Sequence, residues 1–223
     1  MREFYSSLLP KGALVFDVGA NLGTMTRVFS SLRARVIAVE PNPDCVRHIE
    51  LTTSRDSVEV LPAAVGDKNG LGILKVSDRK DKMSSLSDEW REAVSKENRD
   101  YAGMWTREIT VPIVTLDALI ERYGLPFYIK IDVEGYEEQV LEGLSGRPSL
   151  LSFEFNRLFL DPVLRVLEST LFDDASFNYT LVDPIKFELQ TWLDRDGLKK
   201  RLLNLRGTSG LGDIFVRSHN VVG

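Results

Sequence analysis

An aspartate, two glycines and a glutamate near the start of this chain are spaced to hold a nucleotide. Asp17 closes the apolar run Val-Phe-Asp, and Gly19 and Gly23 bracket the turn that follows. Glycine lets a backbone approach a ligand closely and adopt φ > 0. Ligands of open α/β sheets sit outside the carboxyl ends of the strands, so Asp17, Gly19, Asn21 and Gly23 form a candidate binding loop. A dinucleotide fingerprint reads Gly-x-Gly-x-x-Gly and cradles a pyrophosphate. Here Ala20 and Asn21 follow Gly19 and the spacing is Gly-x-x-x-Gly. The Asp17 carboxylate would repel a pyrophosphate, and it suits a cationic ligand such as the ammonium and sulfonium of S-adenosylmethionine. The plainer alternative is that Asp17 caps the turn. Glu40 lies about twenty residues past Gly19, where an acid accepts both hydroxyls of a ribose. Ala63-Ala64-Val65-Gly66-Asp67 is a small-residue turn at the next strand end. Ala64 and Val65 would admit an adenine ring and Asp67 would accept from its exocyclic amine, although a plain turn also fits.

A second set of residues suits proton transfer. Where a reaction needs a hydroxyl to lose its proton, a positioned base is worth about 10²–10⁴ in rate. The two histidines are poorly placed: His48 falls in the helix after Glu40 and His219 in the tail. Carboxylates remain. Asp132 ends one strand and Glu154 lies near the end of the next, and adjacent strands are about 4.8 Å apart. The two acids would share a water, a substrate hydroxyl or a divalent cation. Glu154 is embedded in Leu-Ser-Phe-Glu-Phe, a setting that raises a carboxyl pKa. Asn156 would hold substrate or add an oxygen ligand. Glu134 sits in the strand-to-helix turn and joins the catalytic candidates, whereas Glu137 and Glu138 are assigned to the helix macrodipole. Hard oxygen ligands such as Asp132, Glu154 and Asn156 would suit magnesium or calcium, but a metal-free site is the favoured expectation.

These residues need a scaffold. The 223 residues suit a single α/β domain, and the alternation of apolar runs with helical patterns indicates βαβ units. Strands are expected at Ala13–Asp17, Arg35–Glu40, Val58–Pro62, Phe127–Asp132, Leu150–Phe155, Tyr179–Val182 and Asp213–Arg217. Leu71–Val76 and Ile109–Val114 read as an inserted strand pair. Helices are expected at Gly23–Leu32, from Pro43 to Leu51, at Thr115–Tyr123, Glu134–Leu144 and Asp161–Phe172, and within Phe187–Leu205. The net charge of −5 argues against broad nucleic-acid binding. The chain shows no signal peptide or membrane-length apolar run, and its single cysteine, Cys45, fits a reducing compartment. The expectation is a cytoplasmic protein with no nucleic-acid or membrane partner. The oligomeric state is left open.

Ser77–Glu108 is charged but carries Met83, Trp90, Tyr101, Met104 and Trp105. Ser87–Asn98 within it reads as a helix. The segment is expected either to form a lid over an acceptor or to pack as an amphipathic excursion. Lys199, Lys200, Arg201 and Arg206 form a small basic cluster, read as a solvated helix face, with an acidic acceptor as the minority reading.

Together, VFDVGANLGTMT, VIAVEPNP, AAVGD, TLDALI, IKIDVEGYEEQVLEGL and LSFEFN resemble the FkbM family of S-adenosylmethionine-dependent methyltransferases. The resemblance spans most of Leu14–Asn156, and Ser84-Ser85-Leu86 is similar to the family as well. It implies a Rossmann-like class I methyltransferase fold with a seven-stranded, mostly parallel sheet in the order 3-2-1-4-5-7-6, the last strand antiparallel. It also implies methyl transfer, usually to a hydroxyl of a sugar or other natural product. Ser84 and Ser85 are substrate-binding candidates beside Asn156. Three alternatives remain: a non-catalytic S-adenosylmethionine-binding protein, which would need neither Asp132 nor Glu154; a nicotinamide-dependent oxidoreductase, disfavoured by Asp17 and the missing third glycine; and a protein or RNA N-methyltransferase, although no Asn-Pro-Pro-Tyr-like turn follows the fourth strand.

Overall fold

The computed structural model describes residues 1–77, 84–97, 103–157, 160–181, 185–207 and 210–219. The chain begins with α1 (Arg2–Ser6), β1 (Leu14–Val18), α2 (Thr24–Ser31), β2 (Arg35–Val39), α3 (Pro43–Thr52) and β3 (Val58–Leu61). It continues through β4 (Ala64–Val65), β5 (Gly70–Ser77), β6 (Ser84–Ser85), α4 (Asp88–Glu97) and β7 (Trp105–Val114). The remainder comprises α5 (Leu116–Tyr123), β8 (Tyr128–Ile131), α6 (Glu137–Glu142), β9 (Leu150–Asn156) and α7 (Asp161–Val166). A 3-10 turn (Thr170–Phe172), β10 (Ala175–Leu181), α8 (Arg195–Leu205) and β11 (Leu211–Ser218) complete it.

The main sheet has seven strands in the order β3-β2-β1-β8-β9-β11-β10. Numbering only these core strands gives 3-2-1-4-5-7-6, as the resemblance implied. Strands β3 to β9 in this sheet are parallel, and β11 runs antiparallel to both β9 and β10. The central strands are covered on both faces, which is why they read as continuous apolar runs. Phe16, Ile37, Ile129 and Phe153 enter one core, and Val15, Val36, Tyr128 and Phe215 enter the other.

Four elements differ from expectation. The inserted pair is a four-stranded sheet, β4-β7-β5-β6, because Ala64–Val65 pairs with β7 and Ser84–Ser85 with β5. Two-residue strands carry no alternation to read. The helix expected from Glu134 starts at Glu137, since Glu134 (φ +55°) and Gly135 (φ +88°) are left-handed. The Asp161–Phe172 helix breaks after Val166 and resumes as a single 3-10 turn, capped by Ser169 Oγ accepting from the Leu171 N–H at 3.2 Å. The stretch expected as helix from Phe187 becomes helical only at Arg195. Phe187 and Leu193 instead bridge to β10, and Phe187 packs its ring on Phe4, Trp192 and Phe215. Tertiary aromatic packing thus overrides the local helical pattern.

Helix α4 falls within the expected Ser87–Asn98, although Asn98 lies outside the described residues, as do Met83 and Tyr101. No Ser-x-x-Glu box is present, yet Ser87 Oγ still accepts from the Trp90 N–H at 3.1 Å. Among the described residues no helix is long and apolar enough to cross a membrane.

Candidate active site

The loop after β1 is fixed by its contact with neighbouring strand ends. The N–H groups of Gly19 and Ala20 donate to the Val39 carbonyl at 2.9 and 3.2 Å. Gly19 has φ +77°, and a Cβ there would lie 1.8 Å from the Asp132 carbonyl oxygen. The end of β8 therefore requires glycine at this position. At Gly23 (φ +73°) a Cβ would come within 2.9 Å of Ile49 Cγ1, so this glycine lets α2 pack against α3. Glu40 joins two loops: its Oε2 accepts from Asn21 N–H and its Oε1 from Asn42 N–H, both at 2.8 Å. Burial pushes the Glu40 carboxyl up to about 7, against the lowering effect of those two N–H groups.

Over these strand ends lies a cleft of about 610 Å³. Val18, Gly19, Asn21, Val39 and Glu40 form its floor, and Ala63, Ala64 and Val65 one wall. Ser84, Ser85 and Leu86 cover it from the small sheet, while Asp132, Glu134 and Tyr136 close the far end. The donor set fits an adenosine. A carboxylate stands where ribose hydroxyls would donate, and the wall beyond it is small and apolar. Asp67 is not on this wall; it faces the adjoining groove and pairs with Lys68 at 3.7 Å. A second lobe shares Gly19, Asn21 and Asp132 with the first and is lined by Asp17, Thr24, Met25 and Lys130.

Beneath that lobe the alternation of the strands gathers ionisable groups on one sheet face. Asp17 is buried and accepts from Thr26 Oγ1 at 2.5 Å, and burial raises its pKa against the pull of Lys130. Lys130 lies opposite Asp17 in register and donates to Asp132 Oδ2 at 2.7 Å. Burial alone would lower the Lys130 ammonium, but the carboxylates of Asp132, Asp213 and Asp17 outweigh it and hold it well above its ordinary value. Asp213 is the register partner of Glu154 across β9 and β11, and burial raises its pKa. The half-buried Glu154 is pushed well above the usual carboxylate range by desolvation first, then by Asp132, Glu134, Glu137 and Asp213.

Asp17, Asp132 and Asp213 all act on Lys130, and Asp132 and Asp213 act on Glu154; Lys130 and Asp213 are the members of this group that the sequence reading missed. Their signal was present in Tyr-Ile-Lys-Ile and Gly-Asp-Ile-Phe-Val, where a charge interrupts an otherwise buried strand. Ser84 reaches the cleft, and Ser85 Oγ donates to the Glu134 carbonyl at 2.7 Å. Asn156 ends β9 opposite Leu211 and, like Glu154, is not part of the cleft wall. Gly23, His48 and His219 are likewise outside it. Among the described residues no group of three or more His, Cys, Asp or Glu side chains is disposed to hold a metal ion.

A Rossmann-like sheet in this strand order, with Asp17 near the end of β1 and Glu40 just after β2, defines the class I methyltransferase fold. The chain belongs to the FkbM methyltransferase family: the FkbM methyltransferase domain matches residues 17–184. A relative, the hexuronic acid methyltransferase AglP of Haloferax volcanii, is 28% identical over 142 residues, covering 63% of this chain and 53% of its own length. The chain thus spans about half of that protein. The precorrin-6y C5,15-methyltransferase of Geobacter metallireducens superposes with a TM-score of 0.50 at 11% identity, over 97% of this chain and 87% of that one. The FkbM methyltransferase of Methylobacillus flagellatus gives 0.47 at 14% identity, over 95% and 46%.

Proposed function

We propose that the chain binds S-adenosylmethionine across the two lobes of the cleft and methylates a hydroxyl oxygen of a sugar or similar small acceptor. Glu40 takes the ribose hydroxyls, Ala64 and Val65 flank the adenine, and Asp17 with the Gly19–Asn21 backbone faces the cationic end. The bound cofactor supplies an activated methyl carbon, so the reaction is an in-line displacement once donor and acceptor are aligned. The chain must then orient the acceptor and remove its proton. Asp132 is held by Lys130, whereas burial and four neighbouring acids give Glu154 high proton affinity. Asp132, which lines both lobes, meets the acceptor hydroxyl with Glu134 beside it, and Glu154, set behind the cleft wall, is the proton acceptor reached through Asp132. The carboxylate pair beside a ribose-binding glutamate carries this reading, and the hexuronic acid methyltransferase relative supports a sugar-like acceptor.

The same relative favours a second reading, transfer to a sugar carboxylate. A carboxylate oxygen needs no base, so its methyl ester would form independently of Glu154. The acids around Asp132 count against seating the sugar carboxylate itself at the reacting position, not against a hexuronate whose carboxylate points away from it. Incubating the chain with methyl-labelled S-adenosylmethionine and hexuronate-bearing or neutral glycosides tests both. The proposal expects a methyl ether that Glu154→Gln suppresses; transfer unaffected by that variant would sink it.

A further inference from the structure

Glu137 sits at the start of α6, where an acid needs only solvent and a helix dipole. Its neighbour Glu138 follows that rule, pairing with Arg165 at the surface at 2.8 Å. Glu137 instead turns back toward the strand end. Its Oε1 accepts from the N–H groups of Val133 and Gly135 at 3.2 and 3.3 Å. Those residues belong to the turn that carries Asp132 and Glu134, and Val133 and Glu134 both line the cleft.

That turn needs holding. Glu134 has a side chain yet adopts φ +55°, and Gly135 follows at φ +88°; non-glycine residues keep such a conformation only where their surroundings over-determine it. From the other side the inserted segment supplies two contacts. Ser85 Oγ donates to the Glu134 carbonyl, and the Trp90 side chain lies so close to Gly135 that a Cβ there would meet it at 2.3 Å. Lys130 fixes the Asp132 side chain but nothing in the backbone beyond it.

We infer that Glu137 is a positioning residue: its carboxylate clamps the Asp132–Gly135 turn from the helix side, while Ser85 and Trp90 clamp it from the insertion. The inference rests on the reading that this turn presents the acceptor-facing acids. The inserted segment then does more than cover the cleft, because it forms half of the support for the acids that line it. Small displacements matter at such a place, since misplacing a reacting group by about 1 Å can cost about 100-fold in rate.

The test compares Glu137→Ala with Glu137→Gln, whose amide oxygen keeps one acceptor, in the full chain. Hydrogen exchange at the Val133 and Gly135 amides needs no acceptor substrate. It is expected to accelerate selectively in Glu137→Ala and to return toward wild type in Glu137→Gln. With p-nitrophenyl glucuronide as the probe acceptor, kcat should fall about 100-fold in Glu137→Ala, with KM for S-adenosylmethionine unchanged and substantial recovery in Glu137→Gln. Unchanged exchange at both amides, or wild-type kcat in Glu137→Ala, overturns the inference. Full activity of Asp132→Asn combined with Glu154→Gln would instead overturn the catalytic reading and leave the exchange result standing.

Discussion

Replacing Glu40 by glutamine keeps the side chain's shape and removes its charge, with consequences that follow from its surroundings. In the free protein burial pushes this carboxyl from 4.5 to about 7. Ribose hydroxyls donate to the ionised form, so a proton held below pH 7 must leave before the cofactor binds. A single linked proton then weakens binding about tenfold at pH 6 relative to pH 8. Affinity should rise with pH through 7 and level off. At pH 8 the variant loses charge-assisted hydrogen bonds worth about 1.5–3 kcal/mol, about ten- to hundredfold in affinity. Its amide also presents a donor to one of the Asn21 and Asn42 N–H groups, which now share a carboxylate. Titration calorimetry of S-adenosylhomocysteine at pH 6, 7 and 8, in buffers of different ionisation enthalpy, reads both effects. The wild type should release protons below pH 8 and the variant should lose that dependence. Parallel pH profiles for the two proteins would refute the assignment of Glu40 to the ribose.

Glu40 also makes the unliganded fold pH-sensitive. Because its folded pKa lies above its unfolded value, its contribution of about 3 kcal/mol is fully present below pH 4.5 and lost as pH rises through about 7. Chemical denaturation across that window should show the decline, and Glu40→Gln should flatten its share. Lys130→Met strips the cation from among Asp17, Asp132 and Asp213, and breaking a buried pair costs about 3–5 kcal/mol. A lowered thermal midpoint at pH 7, partly recovered in acid as the buried Asp17 and Asp213 carboxyls take up protons, is the expected outcome. Gly19→Ala forces a side chain onto the Asp132 carbonyl and a strained φ costing about 1–3 kcal/mol. Calorimetry should find cofactor binding abolished or the protein unfolded.

The sheet was legible because its strands are buried on both faces and so appear as apolar runs between turns. Asp17, Gly19 and Glu40 were legible because an acid at a strand end and a glycine at a crossing of strand ends leave local signatures. Lys130 and Asp213 were not, since their meaning depends on which strands become neighbours: Asp213 lies far along the chain from Lys130 and meets it only through the antiparallel return of β11. Glu137 sits where a first-turn acid complements the helix macrodipole, and nothing in Glu-Gly-Tyr-Glu-Glu announces that the first of the final pair folds back onto Val133 and Gly135. The helix expected within Phe187–Leu205 forms only from Arg195 for the same reason, because Phe187 packs on Phe4 and Phe215 at opposite ends of the chain.

The decisive facts are where the methyl group goes and which side chain lets it go there. Nuclear magnetic resonance of the product formed from ¹³C-methyl S-adenosylmethionine and a hexuronate-bearing glycoside reads this directly. A methyl ether on a ring hydroxyl, absent from the Glu154→Gln reaction, is the expected result. A methyl ester on the sugar carboxylate, formed equally well by Glu154→Gln, would contradict it.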